Sequence, residues 1–285
     1  MAPSAKLKAL VDRMPDHDGA GRLTNIDKDK VETAVAEIHK GGRHSLVGLI
    51  DLLVEPGKGN DIKPHYALHV LAVHVCKLAS PGAEPADDKP RAAFARTVAA
   101  QMAAKPKGVQ RYLIRQLQVA GGKEVVPALG KALLDPDLCE PAAQALLAIR
   151  DGAAEALRAA LPTVKAKSRR TILQGLAVLG DRKTVGAFRK ALGDPDRDVR
   201  IAAALGLANA ADAASADALL KAADGQQGWE RIQHTKACLV LADNLLAAGD
   251  NAAAGRIYAH LRDTRAKPSE AYIRQAAERA LAKPT

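Results

Sequence analysis

Residues 180–212 read GDRKTVGAFRKALGDPDRDVRIAAALGLANAAD. Two short apolar stretches at helical spacing, Thr184–Leu192 and Asp198–Ala208, flank a Gly-Asp-Pro-Asp break. The pattern predicts two helices joined by a tight turn. Working outward from this stretch, the pattern recurs. Leu117, Leu146, Leu176 and Leu205 fall 29, 30 and 29 residues apart in the second halves of successive apolar segments. Leu129, Leu157, Phe188 and Leu219 form a second series out of phase with the first. Two interleaved helical series at one period predict a stack of helix pairs.

The punctuation agrees. LDPD at 134–137 and GDPD at 193–196 stand 59 residues apart, two periods. An Asp at a helix N-cap accepts from free N–H groups, and Pro is tolerated in the first turn because its missing N–H would be unpaired there. At 180–181 and 249–250, Gly-Asp closes one helix with a left-handed residue and caps the next. Each helix is too short to be stable alone, so burial of its apolar stripe against neighbours must hold it.

The pairing extends along the chain. Residues 1–24 read as an N-terminal cap segment, with a short helix over Ala5–Met14 and a loop at PDHDGAGR. From Asn25, Ile26, Val31, Val35 and Ile38 share a face, and Gly41-Gly42 ends that helix before its partner at Leu46–Val54. EPGKGND follows as a loop, then helices over 64–79 and 89–105 with SPGAEPADD as a longer irregular loop between them. The remaining pairs run 108–120 with 124–134, 138–149 with 152–161, 167–179 with 184–192, 198–208 with 215–223, and 229–247 with 251–261. A last helix, Ser269–Lys283, closes the stack. The expected organisation is one continuous solenoid over 25–283, irregular over 25–104, regular over 105–225, with C-terminal repeats and a capping helix over 226–283.

Composition supports an all-α fold. Of 285 residues 48% are hydrophobic but only 2% aromatic, so Ala and Leu fill the interior and let helices approach closely. The net charge is +10. Residues 61–120 hold nine Lys/Arg against four Asp/Glu, half of the excess, whereas residues 1–60 carry nine of each. Such a surface permits acidic partners without demanding them. Cys76, Cys139 and Cys238 lie apart in apolar stretches, which implies small buried hydrophobes and neither a disulfide framework nor a zinc site. The N-terminus lacks an apolar core, and no stretch approaches a membrane span. The expectation is a cytoplasmic protein, or a periplasmic one if a signal peptide was removed, monomeric or weakly oligomeric.

GDPDRDVRIAAALGLANAAD, with its Asp-Pro turn, the Val199-Arg200 pair and the A-x-x-A-L-G run, resembles the first helix of a HEAT repeat. KTVGAFRKALGD resembles the second, with Phe188 where Leu is usual. The short period is similar to bacterial HEAT repeats related to phycobilin lyases. The resemblance covers 105–225 and continues more weakly over 25–104 and 226–283. It implies a right-handed α-α superhelix of about seven helix pairs plus a terminal helix. It does not imply a chemistry. The C-terminal stretch from Ala237 to Leu281 also resembles the end module of bacterial HEAT proteins, some of them exported.

Candidate chemistry is sparse. His65 and His69 have the i, i+4 spacing of two metal ligands, but Tyr66 stands where a metalloprotease motif needs Glu. His74 lies about 140° round the helix from His69, and Cys76 two turns away. Iron-dependent HEAT enzymes similar to deoxyhypusine hydroxylase need His-Glu dyads, and the chain has none. A phycobilin-lyase-like activity needs an aromatic, acidic pocket, and there are seven aromatics in all. Phosphate loops and nucleophile elbows are absent from the sequence. Trp229, near a helix start, is expected to plug a gap between repeats. Arg111, Arg115 and Gln118 share one face of a first helix, read as solvated and convex. Arg200 is expected to pair with Asp residues of a neighbouring repeat.

Lys131, Arg158, Arg189, Lys190 and Lys221 fall at equivalent places in the second helices. In solenoids of this type those helices line the concave face. The expectation is a non-enzymatic scaffold, without cofactor or metal, that binds a protein or peptide partner through that basic stripe, its cations meeting acidic groups of the ligand. The alternative is a nucleic-acid binder resembling HEAT-like DNA glycosylases, which also use a basic stripe but add aromatic residues and a catalytic carboxylate.

Overall fold

The computed structural model describes residues 3–18, 20, 22–59, 61–82 and 87–282. The fold is all-α, and the helices gather into two compact units, Met1–Ala156 and Leu157–Thr285. In the first unit α1 (Ala5–Val11) precedes a two-residue antiparallel ribbon, β1 (Asp16–His17) on β2 (Leu23–Thr24). Helix pairs follow: α2 (Lys28–Lys40) with α3 (Gly42–Asp51), α4 (Ile62–Ala79) with α5 (Lys89–Met102), and α6 (Lys107–Ala120) with α7 (Val126–Ala132). Next come α8 (Cys139–Ile149) and α9 (Ala153–Ala160), the latter running across the unit boundary. The second unit holds α10 (Ala166–Leu179) and α11 (Val185–Ala191), α12 (Arg197–Asn209) and α13 (Ala216–Gly225), α14 (Gly228–Ala247) and α15 (Asn251–Thr264), and finally α16 (Ala271–Leu281). First helices pack on first helices, α4 on α6 on α8 in one unit and α10 on α12 on α14 in the other.

Local chemistry explains the element ends. Asp27 caps α2 by accepting from the Lys30 N–H, and Asp250 caps α15 by accepting from the Ala253 N–H at 3.0 Å. Gly180 and Gly249 take the left-handed backbone that closes α10 and follows α14, with φ of 62° and 85°. The two Asp-Pro-Asp turns fold alike: the N–H of Asp137 donates to Asp135, and that of Asp196 to Asp194, both at 2.9 Å. Beyond that point they differ. Asp196 is the N-cap of α12, whereas after LDPD the cap is Leu138 and the helix starts two residues past the turn.

The second-helix series holds: Leu129, Leu157, Phe188 and Leu219 are all 0% exposed. The first-helix series needs one correction. Leu117, Leu146 and Leu176 are fully buried, but Leu205 is 37% exposed. The equivalent of Leu176 is Leu207, fully buried; the carbonyls of Leu176 and Leu207 both accept from the Asp that follows the helix, Asp181 and Asp212. Leu205 therefore lies on the outer face. Gly206 beside it is dictated by Phe188, because a Cβ there would sit 2.5–2.7 Å from three ring carbons. The same contact in the preceding repeat joins Gly175 and Leu157, where a Cβ would meet Leu157 Cδ1 at 3.1 Å.

Other expectations change too. PDHDGAGR is not plain loop, because Asp16 and His17 pair with Thr24 and Leu23; Gly19 and Gly21 lie outside the described residues. Ile26 precedes α2 and is 54% exposed, so it is not part of that helix's buried face. Residues 83–86 of SPGAEPADD, Asn60 of EPGKGND and Lys283 of the last helix lie outside the described residues. Cys139 and Cys238 are buried as expected; Cys76 is only half-buried, its thiol donating to the Val119 carbonyl at 3.5 Å.

Candidate functional site

The five second-helix cations separate into two kinds. Arg158 on α9 reaches Asp181 at 2.5 Å, and Asp181 also accepts from the Thr184 hydroxyl. Thirty-one residues on, Arg189 of α11 reaches Asp212 and the Ser215 hydroxyl, both at 2.6 Å, and Ser215 donates to Asp212. Each Asp opens the next second helix. The two arginines are struts between consecutive second helices, holding register with a planar fork that suits a carboxylate. Lys131 on α7, Lys190 on α11 and Lys221 on α13 are exposed, and none has an ion-pair partner among the described residues. Lys190 and Lys221 stand one period apart within the second unit.

Lys221 lines an open cleft of about 590 Å³ with Asp217, Asp224 and His260. Burial works to raise the Asp224 carboxyl, but hydrogen bonds from Arg265 at 2.6 Å and His260 at 2.7 Å outweigh it and hold the group below the usual carboxylate range. The Arg265 side chain is completely buried, bonding also to Thr264 at 2.9 Å and Thr235 at 3.4 Å. Its Nη2 has no hydrogen-bond partner among the described residues, an unmet cost for a buried guanidinium. Sequence reading missed it because Arg265 sits in a polar connector after α15, with nothing local to mark it as interior.

A parallel set of struts joins the first helices. Arg200 grips Glu230 with two bonds, at 2.6 and 2.8 Å, and also donates to the Asp194 carbonyl. Its neighbouring-repeat partner is therefore Glu230, not an Asp. Arg231 does the same with Glu270, and Arg169 and Arg170 reach Asp194 and Asp198. Hydrogen bonds from Arg200 hold the Glu230 carboxyl below its ordinary value against the opposing effect of burial.

The two histidines take different partners through Nδ1. His65 turns Nδ1 to the Asp61 carbonyl of its own helix and packs edge-on against Tyr112, centroids 4.2 Å apart. His69 Nδ1 lies 3.2 Å from Gln116 Oε1 instead. His74 packs on His39, and Cys76 faces a backbone carbonyl. Among the described residues no group of three or more His, Cys, Asp or Glu side chains is placed to hold a metal. Trp229 plugs no gap, being 60% exposed. No helix among the described residues is long and apolar enough to cross a membrane.

Residues 154–239 match the family model of HEAT repeats. No curated protein matches the chain. Among solved structures, an engineered protein is 19% identical over 96% of this chain and 77% of its own, with a TM-score of 0.48. The complex of CpcE and CpcF of phycocyanin lyase from Nostoc sp. PCC7120 is 18% identical over 83% of this chain and 94% of that one, with a TM-score of 0.43.

Proposed function

We propose that this chain, a HEAT-repeat protein, is a non-enzymatic scaffold that binds an acidic protein or peptide through its second helices. The observation that carries the reading is the division of the basic stripe. Arg158 and Arg189 are consumed by internal struts, while Lys131, Lys190 and Lys221 stay exposed without carboxylate partners among the described residues. Within the second unit, Lys190 and Lys221 are exposed ammonium groups one repeat apart that an acidic ligand can meet together, and such groups act mainly on encounter rate and orientation. Three scattered lysines without an aromatic platform suit a protein partner better than a nucleic acid, where bases need stacking surfaces.

The test reverses Lys131, Lys190 and Lys221 together to Glu. Arg158 is left alone, because its loss would strand Asp181. Capture from native extract, quantified by mass spectrometry, should lose its partner while far-UV circular dichroism is unchanged. Undiminished capture refutes the stripe. Retention of duplex or single-stranded DNA that survives physiological salt would support the nucleic-acid reading instead.

A further inference from the structure

The first-helix face of the first unit holds a groove that the second-helix reading does not use. Its volume is about 660 Å³, and it is lined by Arg111, Tyr112, Arg115 and Gln118 on one side and Glu140 and Gln144 on the other. Arg111, Arg115 and Gln118 follow one face of α6 at i, i+4 and i+7; Glu140 and Gln144 follow one face of α8 at i and i+4. Leu117 and Leu146 are the buried equivalents of the two helices, so Arg115 and Gln144 occupy the same outward position in consecutive repeats.

Arg115 breaks a rule that the other first-helix arginines obey. Arg111, Arg169, Arg170, Arg197, Arg200 and Arg231 each have a carboxylate within 4.0 Å. Arg115 is exposed and has neither an ion pair nor a hydrogen bond among the described residues. Gln118 and Gln144 also lack a hydrogen-bond partner there. Each amide offers a donor and an acceptor, which is what one peptide unit of a backbone requires. Tyr112 is fixed as a wall: its hydroxyl donates to the His65 carbonyl and its ring packs on His65.

The charge balance selects the ligand class. Arg111 already touches Asp137 at 3.6 Å, which leaves Arg115 as the one guanidinium of the groove without an ion-pair partner among the described residues. One open fork suits one carboxylate. A nucleic acid would need a row of cations. We propose that this groove binds an extended protein segment, with Arg115 taking one Asp or Glu side chain and Gln118 and Gln144 bonding the adjoining backbone.

Backbone-amide NMR of the full chain, titrated with the capped pentapeptide acetyl-Ala-Ala-Glu-Ala-Ala-amide, tests this. Saturable shifts should concentrate in α6 and α8. Replacing the peptide Glu by Gln, or introducing Arg115→Gln, should weaken binding by about tenfold or more, the value of a charge-assisted pair. Arg115→Lys should recover part of the loss, since it restores charge without the fork. Lys190→Glu with Lys221→Glu should leave the titration unchanged, which separates this site from the second-helix stripe. Shifts outside α6 and α8, equal binding of the Gln peptide, or full binding by Arg115→Gln would overturn the assignment. So would displacement of the peptide by single-stranded oligothymidine.

Discussion

Gly206 sits beneath the ring of Phe188, and the pair offers a quantitative check on how the repeats interlock. A Cβ at 206 would lie 2.5–2.7 Å from Cζ, Cε2 and Cε1 of Phe188. Carbon pairs rest at about 3.5–4.0 Å, so the ring would have to retreat by roughly 1 Å. Phe188 is completely buried, so that retreat displaces other core side chains. Overpacking of this kind costs about 1–3 kcal/mol. Ala at a helix interior would return up to about 1 kcal/mol over Gly. Three ring atoms inside van der Waals contact put the clash at the upper end, so Gly206→Ala should lose about 1–2 kcal/mol net. The preceding repeat supplies the rescue. At Gly175, a Cβ meets a Leu157 methyl at 3.1 Å, tight but adjustable. In a Phe188→Leu background the 206 position should resemble Gly175, and adding Ala there should cost little. Urea unfolding of the four proteins of this cycle, followed by circular dichroism, gives the coupling directly. A Gly206→Ala protein as stable as the parent would refute the reasoning, as would equal losses from Gly206→Ala in the parent and in the Phe188→Leu background.

Three further outcomes are expected. Glu230 has its carboxyl lowered from 4.5 by Arg200, so the pair's stabilisation is complete above that value and is lost as pH falls through the lower folded value; Glu230→Gln should flatten the acid limb of a pH-stability curve. Arg265→Ala should cost about 2–5 kcal/mol, mainly by emptying a completely buried position, since partly exposed Asp224 keeps His260; Arg265→Met, which refills the volume, should recover much of it in thermal unfolding. Burial pushes the Cys238 thiol up to about 12 and raises that of half-buried Cys76 less far, so mass spectrometry after alkylation of native protein should find Cys76 modified first and Cys238 only after unfolding.

The helix pairs are legible in the sequence because their signals are local. Apolar spacing, Gly at a left-handed position and Asp at a cap all act within one turn of the residue that carries them. Phe188 in place of Leu is visible too, but its consequence at Gly206 is not, since the two are joined only by stacking. The error at Leu205 has the same origin. A count of 29 residues places it in the core, whereas the turn after α12 puts Leu207 there, and a two-residue slip carries a helical side chain some 200° round the axis. The site is less legible still. Nothing near Arg158 or Arg189 reveals that Asp181 and Asp212 will neutralise them, and Arg111, Arg115 and Gln118 read as an ordinary solvated face until α8 supplies the opposite wall.

The struts also change what the net charge of +10 means. Arginine and lysine count alike in composition, yet the fold uses them differently. Arg91, Arg158, Arg169, Arg170, Arg189, Arg200, Arg231 and Arg265 face carboxylates on other elements at 2.5–3.0 Å. A rigid fork loses less freedom per bond than a flexible ammonium, so guanidinium is the better register device between repeats. The cations left over for a partner are then mainly lysines, which project on long stems and steer without fixing geometry. Among the arginines of the first helices α6, α10, α12 and α14, the unpaired one is the informative exception. Arg115 has the group that the fold elsewhere uses to hold itself together, and it faces a groove with two free amides. The stripe of lysines and the Arg115 groove therefore predict different salt responses. Binding governed by the stripe should weaken steadily as ionic strength rises, because its charges are exposed and screened. Binding at Arg115 should keep its preference for Glu over Gln in the ligand at high salt, since that preference comes from a directed pair of hydrogen bonds.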